Sequence, residues 1–328
     1  MAKIVGLKDG MAVRRAIRDT LLDAFPSFGA QFVRFWEAVA PVVNRRMTLR
    51  AATKYLLWGL CPGLAGKFKY FGTRVYFPKG SAIFRIACEK GVYEPDVTDW
   101  LCRLVRPGTL FIDVGANIGL TSIPVLRAVQ GSTVLSFEPS PNSLPYLQRT
   151  CRESDFESRW SIVPSAAGES EGIARFCVAA PEYGAWDGFQ DTRQAGRLNA
   201  VDVSQTTLDA QWRRVGCPAV SCIKIDVEGA ETRVLRGADE VVTRERPYVL
   251  LEWSQVNLAP HGTEVSVLLE YARSHNYDVV AFPSLNPVTG VALLELHMLQ
   301  TEMFLLVPRP LAWAPFFDLD KTQQNGRT

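Results

Sequence analysis

The chain has 328 residues, 36 Lys and Arg against 34 Asp and Glu for a formal net charge of +2, and a composition that is 47% hydrophobic and 21% charged. That is the make-up of a globular protein of one large domain or two, and the near-neutral balance argues against nucleic acid as a partner and for a small molecule or glycan. Seven cysteines, odd in number and without a Cys-x-x-Cys pair, accompany only three histidines, so the cysteines read as core residues in a reducing compartment and no metal site is expected. No stretch has the ~18 apolar residues of a membrane span and no apolar signal core follows Met1, so a cytoplasmic location is expected.

Residues 1–66 read as a basic, helical N-terminal extension. Phe32, Phe35, Trp36 and Val39 fall on one helix face. That face suits packing on the rest of the chain, or a peripheral contact with a membrane or partner assisted by Arg45, Arg46 and Arg50. From Tyr70 the pattern turns β-like: Arg74–Phe77 and Ala82–Ile86 read as a hairpin around Pro78-Lys79-Gly80. Asp96–Val105 has helical periodicity, closed by Arg106-Pro107-Gly108.

Leu110–Ile112 reads as a buried parallel strand, followed by Asp113-Val114-Gly115-Ala116-Asn117-Ile118-Gly119 and a helical pattern over Leu120–Val129. The glycines allow a tight turn and close approach of a ligand to the backbone, and the helix N-terminus suits a phosphate or a carboxylate. A dinucleotide loop begins with glycine; here Asp113 stands first. A carboxylate there repels a pyrophosphate but pairs with an ammonium group, which favours S-adenosylmethionine over NAD. Glu138, at the end of the strand Thr133–Phe137, lies 19 positions past Gly119, the spacing at which an acid holds ribose hydroxyls.

A helix over Asn142–Cys151 and a strand over Trp160–Pro164 follow. In Ser165-Ala166-Ala167-Gly168 the small residues would let an adenine ring lie against the backbone. Strands at Ile173–Val178 and Leu198–Val203 flank an excursion, Ala179–Arg197, whose Tyr183, Trp186, Asp187 and Phe189 could cover a site or be variable surface. Further strands are expected at Ala219–Ile225, Tyr248–Leu251, Asp278–Phe282 and Met303–Val307, with helices from Thr206, through Val234, and over Val265–His275. The tail, 311–328, reads as irregular.

Asp113, Glu138, Asp226 and Glu252 all fall at strand ends, which suggests a polar cleft, because buried carboxylates need partners or solvent. Asp226 and Glu228 share a face if the chain is extended, whereas Glu228 and Glu231 share one if the helix has begun. Either clustering raises a pKa and supplies a candidate general base, although Glu231 also reads as an acid favoured by the helix dipole. His261, after Glu252, is a third candidate base.

The block Phe111–Gly119, then Phe137-Glu138-Pro139, then Lys224-Ile225-Asp226-Val227-Glu228-Gly229-Ala230-Glu231 resembles the FkbM family of S-adenosylmethionine-dependent methyltransferases. Tyr93-Glu94-Pro95 and Leu250-Leu251-Glu252 fit as well, and the likeness spans 70–307. It implies an α/β, Rossmann-like class I methyltransferase fold over 67–310. The sheet would be seven-stranded and mostly parallel, with helices on both faces and the last strand antiparallel. The implied reaction is O-methylation of a hydroxyl on a sugar, glycolipid or polyketide-like molecule. By position, Asp113, Gly115, Asn117 and Gly119, with Ala116 among them, would hold the methionine end. Glu138 with Pro139 would hold the ribose, Ala166 would lie near the adenine, Glu94 would close over the cofactor, and Asp226 with Glu228 would face methyl transfer. The alternatives are an NAD-dependent oxidoreductase, disfavoured by Asp113, and a non-catalytic binding module.

Overall fold

The structure, a computed structural model, describes residues 66–78, 81–179, 187–189 and 199–310. The expected N-terminal helices, the C-terminal tail and most of the Ala179–Arg197 excursion lie outside the described residues.

The described chain opens with an antiparallel hairpin of β1 (Gly66–Tyr70) and β2 (Thr73–Phe77). The strand expected at Ala82–Ile86 is instead the start of helix α1 (Ala82–Lys90). A short apolar run fits either period, and the cap decides between them: the Ser81 Oγ accepts the Phe84 amide at 3.2 Å. Ile83, Phe84 and Ala87 are then buried at helical spacing. The partner of β2 is β1, which the sequence reading passed over.

There follow α2 (Pro95–Leu104), β3 (Leu110–Val114), α3 (Ser122–Ala128), β4 (Thr133–Phe137), α4 (Leu144–Arg152) and β5 (Trp160–Val163). A small three-stranded sheet, β6 (Ala166–Ala167), β7 (Gly172–Val178) and β8 (Asn199–Thr206), stands apart from the main one. The chain returns through α5 (Leu208–Arg214) to β9 (Val220–Ile225), α6 (Glu231–Arg236), α7 (Asp239–Glu245) and β10 (Tyr248–Glu252). It ends with α8 (Gln255–Leu258), α9 (Val267–Ser274), β11 (Tyr277–Ala281), β12 (Asn286–Pro287), α10 (Val291–Met298) and β13 (Met303–Pro308).

The main sheet runs β12-β11-β13-β10-β9-β3-β4-β5. Strands β5, β4, β3, β9 and β10 are parallel, and β13 is inserted antiparallel between β10 and β11. This is the seven-stranded sheet expected, with the two-residue β12 added at its edge.

Both faces are covered, which is why the strands read as continuous apolar runs. Leu110, Ile112 and Val114 pack with Leu208, Trp212 and Leu235 on one face; Phe111 packs with Leu101, Ile123 and Leu147 on the other. From β3 the chain steps outward to β4 and β5, then crosses back to β9 on the other side of β3. The carboxyl ends of β3 and β9 therefore flank the switch in strand order, where an open α/β sheet leaves a crevice.

Candidate active site

At the carboxyl end of β3 the backbone turns with Gly115 at φ 79° and Gly119 at φ 88°. A Cβ on Gly115 would sit 1.9 Å from the Asp226 carbonyl oxygen, and one on Gly119 would sit 2.6 Å from the Trp160 ring. Both positions require glycine, for room and for conformation. Gly115, Ala116 and Asn117 line a cavity of about 330 Å³ together with Tyr93, Glu94, Lys224, Asp226, Glu228, Glu252 and Glu302. Gly119 lies behind the turn and lets the helix side pack on Trp160. Asp113 is also off the cavity wall: it is fully buried inside β3, where its carboxylate accepts from the Ser122 hydroxyl.

The charge in this cavity is lopsided. Lys224, 2% exposed, donates to Asp226 Oδ2 at 2.8 Å and is in register with Asp113 on the neighbouring strand. Burial pulls its ammonium down, but Asp226, Asp113 and Glu94 outweigh that and hold it above the ordinary lysine range. Asp226, Glu228 and Glu252 each bring a carboxylate oxygen within 4.8 Å of the others. Burial first, and then the Asp226 charge, push Glu228 up to about 9 and Glu252 well above its usual range. Glu94 is raised by burial, with Lys224 opposing. Glu94 Oε2, Glu228 Oε2 and Asp113 Oδ1 are buried without a hydrogen-bond partner. Glu94, Asn117 and Glu228 hold φ of 42°, 50° and 56°, a region L-residues rarely adopt, so the backbone is locally strained around the cavity.

Hard oxygens at this spacing suit a divalent cation. Asp226, however, already faces the Lys224 ammonium, and Glu252 Oε2 already accepts from the Asn257 amide at 3.1 Å.

A second, narrower cavity shares Gly115 and Asp226 with the first and is lined further by Glu138, Pro139, Ala166, Phe176, Asp187 and Phe189. The two oxygens of Glu138 accept the amides of Asn117 and Ser140, each at 2.7 Å. Burial raises this carboxyl to about 7 while those amides oppose it. Each oxygen keeps a lone pair with which to accept from a hydroxyl.

Two residues weighed as acid or base stand off the cavity walls. His261 does not line the cavity; its ring packs beneath Gly229, with Cδ2 2.8 Å from where a Cβ there would stand. Burial lowers its pKa, while a bond to the Glu228 backbone opposes. Glu231 is 1% exposed and caps the turn, accepting from the Val227 and Gly229 amides at 3.2 Å. Conversely, Lys224, Glu302 and Tyr93 were not expected to line the site, and Glu252 was expected in the polar cleft without a role of its own. A lysine in an otherwise apolar strand, two positions before Asp226, was a usable signal; for Glu302 no pattern existed.

Fit to a cofactor can be judged from these walls. Orphaned carboxylate oxygens in the larger cavity call for a cationic group. The narrower one offers an acid beside small and aromatic side chains, as a nucleoside requires. An elongated ligand with a cationic end and a nucleoside end matches the chemistry of both linings. With the antiparallel β13 in the sheet, this defines an S-adenosylmethionine-dependent methyltransferase of the Rossmann-like type.

Comparison with known proteins narrows the class. The family described as the methyltransferase FkbM domain matches residues 113–279, and the chain belongs to that family. It is 28% identical over 204 residues to the 31-O-demethyl-FK506 methyltransferase FkbM of Streptomyces tacrolimicus, covering 54% of this chain and 75% of that protein. It is 27% identical over 208 residues to methyltransferase sdnD of Sordaria araneosa, covering 55% and 79%. Among solved structures, an FkbM methyltransferase from Methylobacillus flagellatus KT aligns at 15% identity and a TM-score of 0.38, over 85% of this chain and 60% of that one. No helix among the described residues is long and apolar enough to cross a membrane.

Proposed function

We propose that the protein methylates a hydroxyl oxygen of a small molecule or glycan, with Glu228 as the general base and Asp226 and Glu252 shaping its ionisation. The observation that supports this most directly is the carboxylate triad at the switch point, with Glu228 Oε2 buried and unpartnered beside the Gly115–Asn117 turn. The relative named for 31-O-demethyl-FK506 lends support for oxygen as the acceptor atom.

S-adenosylmethionine, when bound, supplies a methyl group already activated on sulfonium sulfur. The residues have two tasks left, alignment and removal of one proton. The Gly115–Asn117 backbone, Glu94 and the acidic wall would hold the cationic end, and Glu138 the ribose. Asp113 would act from beneath by holding Lys224 in place rather than by touching the ligand. A Glu228 carboxyl kept protonated by burial and by Asp226 regains its charge when a cation enters the cavity, because an opposite charge favours the ionised form. It is then a carboxylate able to take the acceptor's proton at Oε2. His261 and Gly119 position the turns and touch neither reactant.

The test is incubation of the protein with methyl-deuterated S-adenosylmethionine and extracts rich in hydroxylated small molecules or glycans, read by mass spectrometry. A labelled product whose methyl sits on oxygen is expected. Label found only on nitrogen or carbon would refute the assignment of the acceptor atom.

A further inference from the structure

The sequence left the Ala179–Arg197 excursion open as either cover or variable surface, and its described segment, 187–189, bears on that choice. Gly188 exchanges both backbone hydrogen bonds with Cys177 of β7, at 2.7 and 3.1 Å. Asp187 is the latch. Its Oδ1 accepts the Ala179 amide at 2.7 Å, and its Oδ2 accepts the Ser140 hydroxyl and, at 3.0 Å, the Asn142 side-chain amide. Ser140 is the residue whose own amide holds Glu138. The segment is thus tied to the loop that carries the ribose acid.

Phe189 follows the latch and is only 8% exposed. It belongs to one apolar cluster with Ala166 and Ala230, meets the Phe176 ring edge-on at 5.8 Å, and carries the Arg233 guanidinium 4.5 Å over its face. Ala166, Phe189 and Glu138 all line the narrower cavity. A flat apolar wall beside an acid that can receive hydroxyls is what a purine nucleoside needs.

We propose that Phe189 is a binding residue for the adenine ring of the cofactor, and that Asp187 is a positioning residue that fastens this wall to the Glu138 loop. The proposal rests on the cofactor assignment above. Substrate hydroxyls are handled at the other cavity, so the two residues bear on cofactor affinity and not on the chemical step.

The experiment is calorimetric titration of the full chain with S-adenosylhomocysteine and with 5′-methylthioadenosine, which retains the adenosine end alone. Phe189→Ala should weaken both by a common factor of about ten to a hundred, as expected for loss of one base–aromatic contact. Phe189→Tyr should stay within about threefold of wild type on the same grounds, and Asp187→Asn should fall between. In turnover assays the KM for S-adenosylmethionine should rise while kcat at saturation holds. Should Phe189→Ala melt at lower temperature yet bind both nucleosides as tightly as wild type, Phe189 is a core residue and the proposal falls. A wild-type protein that bound neither ligand would overturn the cofactor assignment itself, so the two failures are distinguishable.

Discussion

Replacing Glu228 by glutamine separates the stability of the site from its function. The Glu228 carboxyl, ordinarily at 4.5, is held protonated up to about 9 by burial and by Asp226. A folded-state pKa above the unfolded one means that the fold binds more protons than the unfolded chain. Its stability contribution is therefore present at low pH and is lost as pH rises through the interval from 4.5 to about 9. At ~1.4 kcal/mol per pH unit, the loss by about pH 8 is at most ~5 kcal/mol, and sharing of protons among the neighbouring acids reduces it to ~2–3 kcal/mol. Glutamine keeps the shape and does not titrate. Ligand-free Glu228→Gln should melt with the wild type near pH 5 and about 5–10 °C above it near pH 9, taking ~2–4 °C per kcal/mol for a chain of this size. Scanning calorimetry across pH measures this, and methyl transfer by the same variant should be strongly reduced. A melting difference that stayed constant from about pH 5 to pH 9 would refute the reasoning.

Lys224→Met should do the opposite, because it strips Asp226, Asp113 and Glu94 of their buried counter-charge; a cost of ~3–5 kcal/mol near neutral pH is expected, shrinking towards acid pH as Asp113 and Glu94, both raised by burial, take up protons. Chemical denaturation at two pH values checks it, and a loss that grew on acidification would contradict the assigned role. With Lys224 serving as the resident cation of the triad, turnover should persist after exhaustive dialysis against EDTA; activity lost there and restored by Mg²⁺ would show that the triad binds metal instead.

Much of this architecture was legible from the residues because its signals are local. A buried strand, a turn with an acid and two glycines, and a helix form one contiguous stretch around Asp113–Gly119. Asp226 and Glu228 lie within a single block, so their proximity needed no knowledge of strand pairing. Glu252 completes the triad only because β10 pairs in parallel with β9, with Leu251 beside Ile225. That register is a property of the sheet, not of any window of sequence. The α1 segment misled because five residues cannot separate period 2 from period 3.6, and the deciding Ser81 lay just outside the run. Helix α10 went unread because Val291–Met298 is apolar on nearly every side and shows no stripe. His261 was placed near the right strand end, but position along the chain does not tell which way a ring points, and this ring lies against Gly229 and does not line the cavity.

The approach of Gly115 to Asp226 has a mechanical consequence. With 1.9 Å between the Asp226 carbonyl and the place a Cβ would take, and with the Asp226 amide bonded to the Val114 carbonyl at 3.1 Å, the turns after β3 and β9 abut as one block. The glycine turn and the block that carries the acids are therefore held at one spacing by main-chain contact, and a side chain at position 115 would have to prise them apart.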